Sequence, residues 1–120
     1  MISIVDDDES VREATKRLVR SLGYVAITFA SAEEFLESAS VHDSSCLITD
    51  VQMHGMSGID LQNRLTAENL RLPIIFMTAF PETNTCARAL AAGALGFLSK
   101  PFSDDSLIEC LDKALAERRH

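Results

Sequence analysis

Three consecutive aspartates, Asp6-Asp7-Asp8, follow the apolar run Ile2 to Val5, and a lone aspartate, Asp50, follows Cys46 to Thr49. Thr78 closes another apolar run that starts at Ile74, and Lys100-Pro101 comes directly after Gly96 to Ser99. Acids, a hydroxyl and an ammonium therefore each stand where a short apolar segment stops. Two carboxylates about 4 Å apart repel by roughly 4 kcal/mol at an effective dielectric near 20, so a cation must offset them if Asp50 lies beside the first acidic cluster. A hard divalent ion held by one or two carboxylates, with several waters retained, is a Mg²⁺ site of the kind that also clamps phosphate oxygens. Lys100 adds a second, movable positive charge. Each residue also has a plainer role: Asp8 suits the N-cap of a following helix, Asp50 a turn, and Lys100 a solvated surface. Their joint placement at four segment ends is what points to a site.

That placement has meaning only if the segments share one edge of a sheet. Five apolar runs, Ile2 to Val5, Tyr24 to Phe29, Cys46 to Thr49, Ile74 to Thr78 and Gly96 to Ser99, alternate with helical patterns without a compositional break. Most are near-continuously apolar, as strands covered on both faces are. The first helical stretch carries Val11, Ala14, Leu18, Val19 and Leu22 on one stripe and turns Arg12, Lys16 and Arg20 away, with Gly23 at the C-terminal cap position. Ser31 with Glu34, and Ser57 with Asp60, have the spacing of capping boxes, and Gly93 closes a fourth helix that follows Pro81. The last helix opens near Ser103, turns Leu107, Ile108, Leu111 and Leu115 inward, and ends in Arg118-Arg119, which suits the helix dipole. Five βα units predict an α/β fold, a doubly wound (βα)5 arrangement with a five-stranded parallel sheet, and a single domain over residues 1–120. In such sheets ligands bind at the carboxyl ends of the strands.

Composition narrows the function. At 120 residues, 47% apolar and 24% charged, the chain has the make-up of an ordinary globular domain, long enough to bury about two thirds of its unfolded surface. Eighteen acidic against eleven basic residues leave a net charge of −7, which argues against a domain whose main task is gripping phosphodiester backbone. Cys46, Cys86 and Cys110 are isolated and odd in number, so neither a disulfide framework nor a zinc site is indicated, and a reducing cytoplasm fits. The start lacks the basic and apolar regions of a signal peptide, and no run has membrane-spanning length. The expectation is a soluble cytoplasmic protein with no membrane partner.

Together, Ile4-Val5-Asp6-Asp7-Asp8, Thr49-Asp50-Val51-Gln52-Met53 with Gly58, Met77-Thr78-Ala79 and Lys100-Pro101-Phe102 resemble the receiver domains of two-component response regulators, the CheY-like family with its flavodoxin-like fold. The similarity extends over essentially the whole chain. Ser31-Ala32-Glu33-Glu34-Phe35-Leu36, Gly93-Ala94 and Lys100-Pro101-Phe102 look closest to the FixJ-type subgroup. The resemblance implies that Asp50 is the phosphoacceptor, and that Asp7, Asp50 and the main-chain carbonyl of Gln52 ligate Mg²⁺ directly, with Asp6 acting mainly through water. Mn²⁺ or Ca²⁺ would be able to substitute. It further implies that Thr78 and Lys100 contact phosphoryl oxygens, that Phe97 is a switch aromatic, and that Pro101 follows a cis peptide that positions Lys100. The implied partners are a sensor histidine kinase as donor, a second copy of the domain upon phosphorylation, and a C-terminal DNA-binding output domain beyond this chain. Self-phosphorylation and self-dephosphorylation, and not enzymatic turnover, are the implied chemistry.

One departure is plain: where the family usually has Pro after the loop methionine, this chain has His54-Gly55. An exposed loop histidine is one reading of His54, and a titrating group that modulates the phosphoryl site is another. Three rival functions fit less well. An aspartyl phosphatase would place a second acid two residues after its nucleophile, where Gln52 stands. A flavodoxin-like carrier would need a glycine- and hydroxyl-rich phosphate loop where Asp6-Asp7-Asp8 would repel the phosphate. A degenerate receiver kept as an interaction module would have lost the acids, the Thr or the Lys, and all are present.

Overall fold

The computed structural model describes residues 1–79, 83–100 and 102–118, with the side chains of 83–86, 117 and 118 outside the description. The elements run β1 (Ile2–Val5), α1 (Glu9–Ser21), β2 (Ala26–Phe29), α2 (Ala32–Glu37), α3 (Ser40–Asp43), β3 (Cys46–Asp50), α4 (Gly58–Ala67), β4 (Ile74–Thr78), α5 (Thr83–Ala91), β5 (Gly96–Ser99) and α6 (Asp104–Arg118). The strands form one parallel sheet in the order β2-β1-β3-β4-β5. This is the doubly wound arrangement that the alternating pattern predicts. The winding reverses between β1 and β3, so the ends of those two strands, Asp6 and Asp50, flank the crevice.

Strand periodicity sorts the core into two layers, because successive side chains point to opposite faces. Ile2, Ile4, Cys46, Ile48, Ile75, Met77 and Leu98 face one side, where Val19 of α1 and Leu107, Leu111 and Ala114 of α6 cover them. Val5, Leu47, Ile74 and Phe76 face the other, under Phe35 of α2, Leu61 and Leu65 of α4, and Ala89 of α5. Both faces are buried, which is why the strand sequences read as apolar runs with no clean alternation. No described helix is long and apolar enough to cross a membrane.

The capping residues behave as their chemistry requires. Asp8 accepts the Ser10 and Val11 amides at the start of α1, and Ser57 and Asp60 form a reciprocal capping box at the start of α4. Glu34 differs: while its own amide bonds the Ser31 hydroxyl, its carboxylate reaches the Ala30 amide, one residue further back than a strict box. Gly23 and Gly93 take φ values of 93° and 105°, the left-handed conformation that ends α1 and α5.

Three expectations need correction. The pattern led to five helices, but the link from β2 to β3 holds a second short one, α3, seated by buried Val41. On α1 the inward residue is Thr15 and not Ala14; the Thr15 hydroxyl donates to the Val11 carbonyl at 2.8 Å, which removes the cost of burying it. Strand β2 starts at Ala26, two residues later than the apolar run, because Tyr24 and Val25 lead into the sheet edge and leave Val25 65% exposed. The expected cis peptide at Pro101, and Pro81, Cys86 and Arg119, fall outside the described residues or side chains.

Gly58 is fixed by space alone. A methyl group there would lie 2.2 Å from the Asp50 carbonyl oxygen, while the Gly58 amide donates to the Val51 carbonyl at 2.9 Å. The start of α4 thus packs directly on the backbone of the loop after β3. Gly58→Ala should lower stability by about 1–3 kcal/mol, the usual penalty of overpacking, and urea denaturation followed by circular dichroism will read it as a reduced midpoint.

Candidate functional site

The carboxyl edge of the sheet gathers the residues that the sequence singles out. Asp6 leaves β1 fully buried, Asp50 ends β3 with its side chain 10% exposed, and Lys100 follows β5 and reaches back across β4. The Lys100 Nζ lies 3.0 Å from Asp6 Oδ2 and 3.2 Å from Asp50 Oδ2. One ammonium therefore serves two carboxylates. Asp6 is held in turn by the Asp8 amide, which donates to Asp6 Oδ1 at 2.9 Å. The Asp50 carboxylate accepts the Gln52 amide in a longer contact of 3.4 Å, which turns the loop after β3 around the acid.

Carboxylate oxygens of Asp6, Asp7 and Asp50 all lie within 4.8 Å of one another. Among the described residues this is the group of acids able to share a metal ion, and oxygen donors of this type suit a hard divalent cation. Asp7 is the most exposed of the three, and its Oδ2 accepts both the His54 amide and the His54 ring Nδ1 at 3.0 Å each. The departure at His54 thus has a direct structural result: an amide that proline lacks is used to tie the loop after β3 to the acidic cluster.

Electrostatics follow from the shared lysine. Burial pushes the Asp50 carboxyl above its ordinary value, and repulsion from Asp6 adds to this while Lys100 opposes it. Burial alone would lower the Lys100 ammonium, but its contacts with Asp6 and Asp50 prevail and raise it. Burial would also raise Asp7, yet the hydrogen bonds from His54 outweigh that and bring it down. Two acids with one cation leave an uncompensated negative charge, and that is the condition under which a pocket attracts a further cation.

Thr78 ends β4 buried at 1% exposure, and its carbonyl accepts the Lys100 amide at 2.7 Å, which joins the backbone of the hydroxyl residue to that of the lysine. Phe97 is half-buried on β5, with its ring 5.7 Å from that of Phe76. Sequence reasoning missed Arg12. Placed among the outward residues of α1, it turns back, and its Nη1 donates to the Asp6 carbonyl at 2.8 Å. Helical periodicity carries no signal for this, since a long flexible side chain can reach a backbone atom off its own stripe.

Residues 2–112 match the model of the response regulator receiver domain. The chain belongs to that family. This receiver domain is 39% identical over 119 residues to nodulation protein W of Bradyrhizobium diazoefficiens, covering 99% of the chain and 52% of that protein. It is 36% identical to the transcriptional regulatory protein TdiR of Thauera aromatica, covering 98% of the chain and 52% of that protein. It therefore spans about half the length of these curated relatives. Among solved structures, the response regulator StyR superposes with a TM-score of 0.89 at 44% identity, over 98% of this chain and 61% of that one. FixJ-N superposes with a TM-score of 0.85 at 33% identity, over 96% and 92%.

The raised Asp50 carboxyl has a stability consequence. The folded receiver domain holds that proton to higher pH than the unfolded chain does, so stability falls as pH climbs from the ordinary 3.8 through the raised value, and the penalty is complete above it. Asp50→Asn removes the penalty and leaves Lys100 paired with Asp6. The variant should be more stable than the parent at pH 7 by about 0.5–2 kcal/mol, the usual scale of relieving unfavourable charge, with the advantage gone below the ordinary carboxylate range. Thermal melts across that pH range will read it.

Proposed function

We propose that this receiver domain accepts a phosphoryl group on Asp50 from the phosphohistidine of a sensor histidine kinase. The single observation that carries the reading is the Lys100 ammonium set between Asp6 and Asp50 at the sheet edge, beside acids whose oxygens lie within 4.8 Å. Asp7 and Asp50 would hold Mg²⁺ through their carboxylates and Gln52 through its main-chain carbonyl, with Asp6 acting through water, and Mn²⁺ or Ca²⁺ suits the same oxygen donors. The bound ion supplies neutralisation of charge on the phosphoryl oxygens.

The remaining work belongs to the protein. An Asp50 oxygen attacks phosphorus in line, the phosphorus–nitrogen bond of the donor breaks with its electron pair going to nitrogen, and an acyl phosphate remains on Asp50. Lys100 pairs with one phosphoryl oxygen and Thr78 hydrogen-bonds another. Water later returns the carboxylate and inorganic phosphate, so the domain is a switch that carries its own modification and not a turnover enzyme. With acetyl phosphate and Mg²⁺, intact-mass spectrometry should find a single added phosphoryl group on the wild-type chain and none on Asp50→Asn. Equal modification of the two would refute the assignment of Asp50.

The phosphoryl group brings negative charge and strong acceptor oxygens, which draw Thr78 and Lys100 inward. Phe97, already half-buried against Phe76, then turns into the space behind Thr78 and reshapes the face of α5, β5 and α6. Leu90 of α5 is 49% exposed, an apolar contact for a partner on that helix. The outcome is a phosphorylation-dependent homodimer that controls a C-terminal DNA-binding domain, consistent with relatives about twice as long that include a transcriptional regulatory protein. A coupling of about 1–3 kcal/mol strengthens association roughly 5- to 150-fold. Sedimentation with and without beryllofluoride should show that gain for wild type and its loss for Thr78→Ala.

A further inference from the structure

Asp7 stands between two held carbonyls. Arg12 of α1 donates its backbone amide to the Asp8 carbonyl at 3.0 Å and its side-chain Nη1 to the Asp6 carbonyl at 2.8 Å, so one residue grips the loop after β1 on either side of Asp7. The two flanking acids are fixed by further contacts inside the fold. The Asp6 carboxylate takes the Asp8 amide and the Lys100 ammonium, and the Asp8 carboxylate caps α1. The Asp7 carboxylate, more exposed than either Asp6 or Asp50, is met by the loop after β3 through His54. Its place beside the other two acids therefore depends on the backbone that carries it.

Arg12 acts on that backbone. A peptide unit is planar, and in the trans form its C=O and N–H point in opposite directions. The guanidinium that holds the Asp6 carbonyl thus sets the plane of the Asp6–Asp7 peptide, and with it the direction in which the Asp7 side chain leaves the loop. The contact is with main chain and not with charge: among the described residues Arg12 forms no ion pair, whereas Lys100 meets Asp6 and Asp50 directly. A half-buried side chain of this length gives up rotamer freedom to hold a carbonyl. The carbonyl it holds is the one that orients a member of the cluster Asp6, Asp7 and Asp50.

We propose that Arg12 is a positioning residue of the phosphoacceptor site: by holding the Asp6 carbonyl it sets the Asp7 carboxylate for Mg²⁺, and so supports metal affinity and not the phosphoryl transfer step itself. The inference rests on Asp7 being a ligand of the metal and Asp50 the phosphoacceptor, and the experiment separates the two.

The untagged chain is titrated with MgCl₂ in ¹H–¹⁵N NMR spectra as wild type, Arg12→Met, Arg12→Gln, Arg12→Lys and Asp7→Ala. Circular dichroism checks the fold, and an apolar and a polar truncation are both made so that either one can carry the test. Arg12→Met and Arg12→Gln should weaken Mg²⁺ by about 10-fold, the lower end of the loss typical of a supporting group at a metal site. Arg12→Lys, whose ammonium can still donate to the carbonyl, should restore most of that affinity. With acetyl phosphate, the two truncations should need about 10-fold more Mg²⁺ for half the maximal rate of Asp50 phosphorylation, and should reach the wild-type maximum at saturating Mg²⁺. Folded truncations that bind Mg²⁺ as wild type does, whatever their urea midpoints, or that lower the maximal rate with the Mg²⁺ requirement unchanged, would overturn the role of Arg12 and leave the metal site standing. A wild-type chain that binds no Mg²⁺, or an Asp7→Ala variant that binds it as well as wild type, would remove the metal site and the inference with it.

Discussion

Two carboxylates and one ammonium meet at the end of the sheet, and much of this molecule is arranged to keep them there. Asp6 has no exposure to solvent and Asp50 very little, so their charges are screened by the protein and by Lys100 more than by water. An isolated buried carboxylate would take up a proton. One Lys100 ammonium stands against both acids, and burial pushes the Asp50 carboxyl above its ordinary value despite it. Two buried acids against one ammonium form an arrangement that an added cation would relieve.

The scaffold that bears this arrangement is the doubly wound sheet. Because β1 and β3 are neighbours in the register that pairs Val5 with Thr49, the residues that follow them, Asp6 and Asp50, emerge side by side. Asp50 is paired with Met77, and Thr78 with Ser99, so the acid, the hydroxyl residue and the lysine come from three adjoining strands. Rigid strands place the donors, while the loops between Asp6 and Asp8 and between Val51 and Ser57 adjust them. The close approach of Gly58 to the Asp50 carbonyl ties the second loop to α4, and the Thr78–Lys100 backbone bond ties the end of β4 to the end of β5. Asp50 is thereby in close backbone contact with the start of α4, and the ends of β4 and β5 are held to each other.

Most of the site was legible in the linear chain, for a definite reason. Apolar runs of strand length end where the backbone leaves the sheet, so Asp6, Asp50, Thr78 and Lys100 announced their edge by standing just after or at the end of such runs. The capping residues Asp8, Ser31 and Ser57 were equally readable, since a cap acts on amides two or three positions away. What is local in sequence and local in space can be read directly. The burial of Thr15 in place of Ala14 was not readable, because a stripe drawn from hydrophobicity alone does not count a hydroxyl that satisfies itself on its own helix.

The sequence by itself determined the alternation of elements, the parallel sheet that alternation forces, and the residue types at its carboxyl edge. Only the tertiary structure decided which charges share a partner. Lys100 is ninety-four residues from Asp6 in the chain and 3.0 Å away in space, and His54 is forty-seven residues from Asp7 at the same distance. Strand order and register set those meetings, and they depend on the packing of every helix against both faces of the sheet. Arg12 marks the same boundary on a smaller scale: its position on α1 follows from periodicity, but its turn toward the Asp6 carbonyl follows from an acceptor that exists only once β1 is in place.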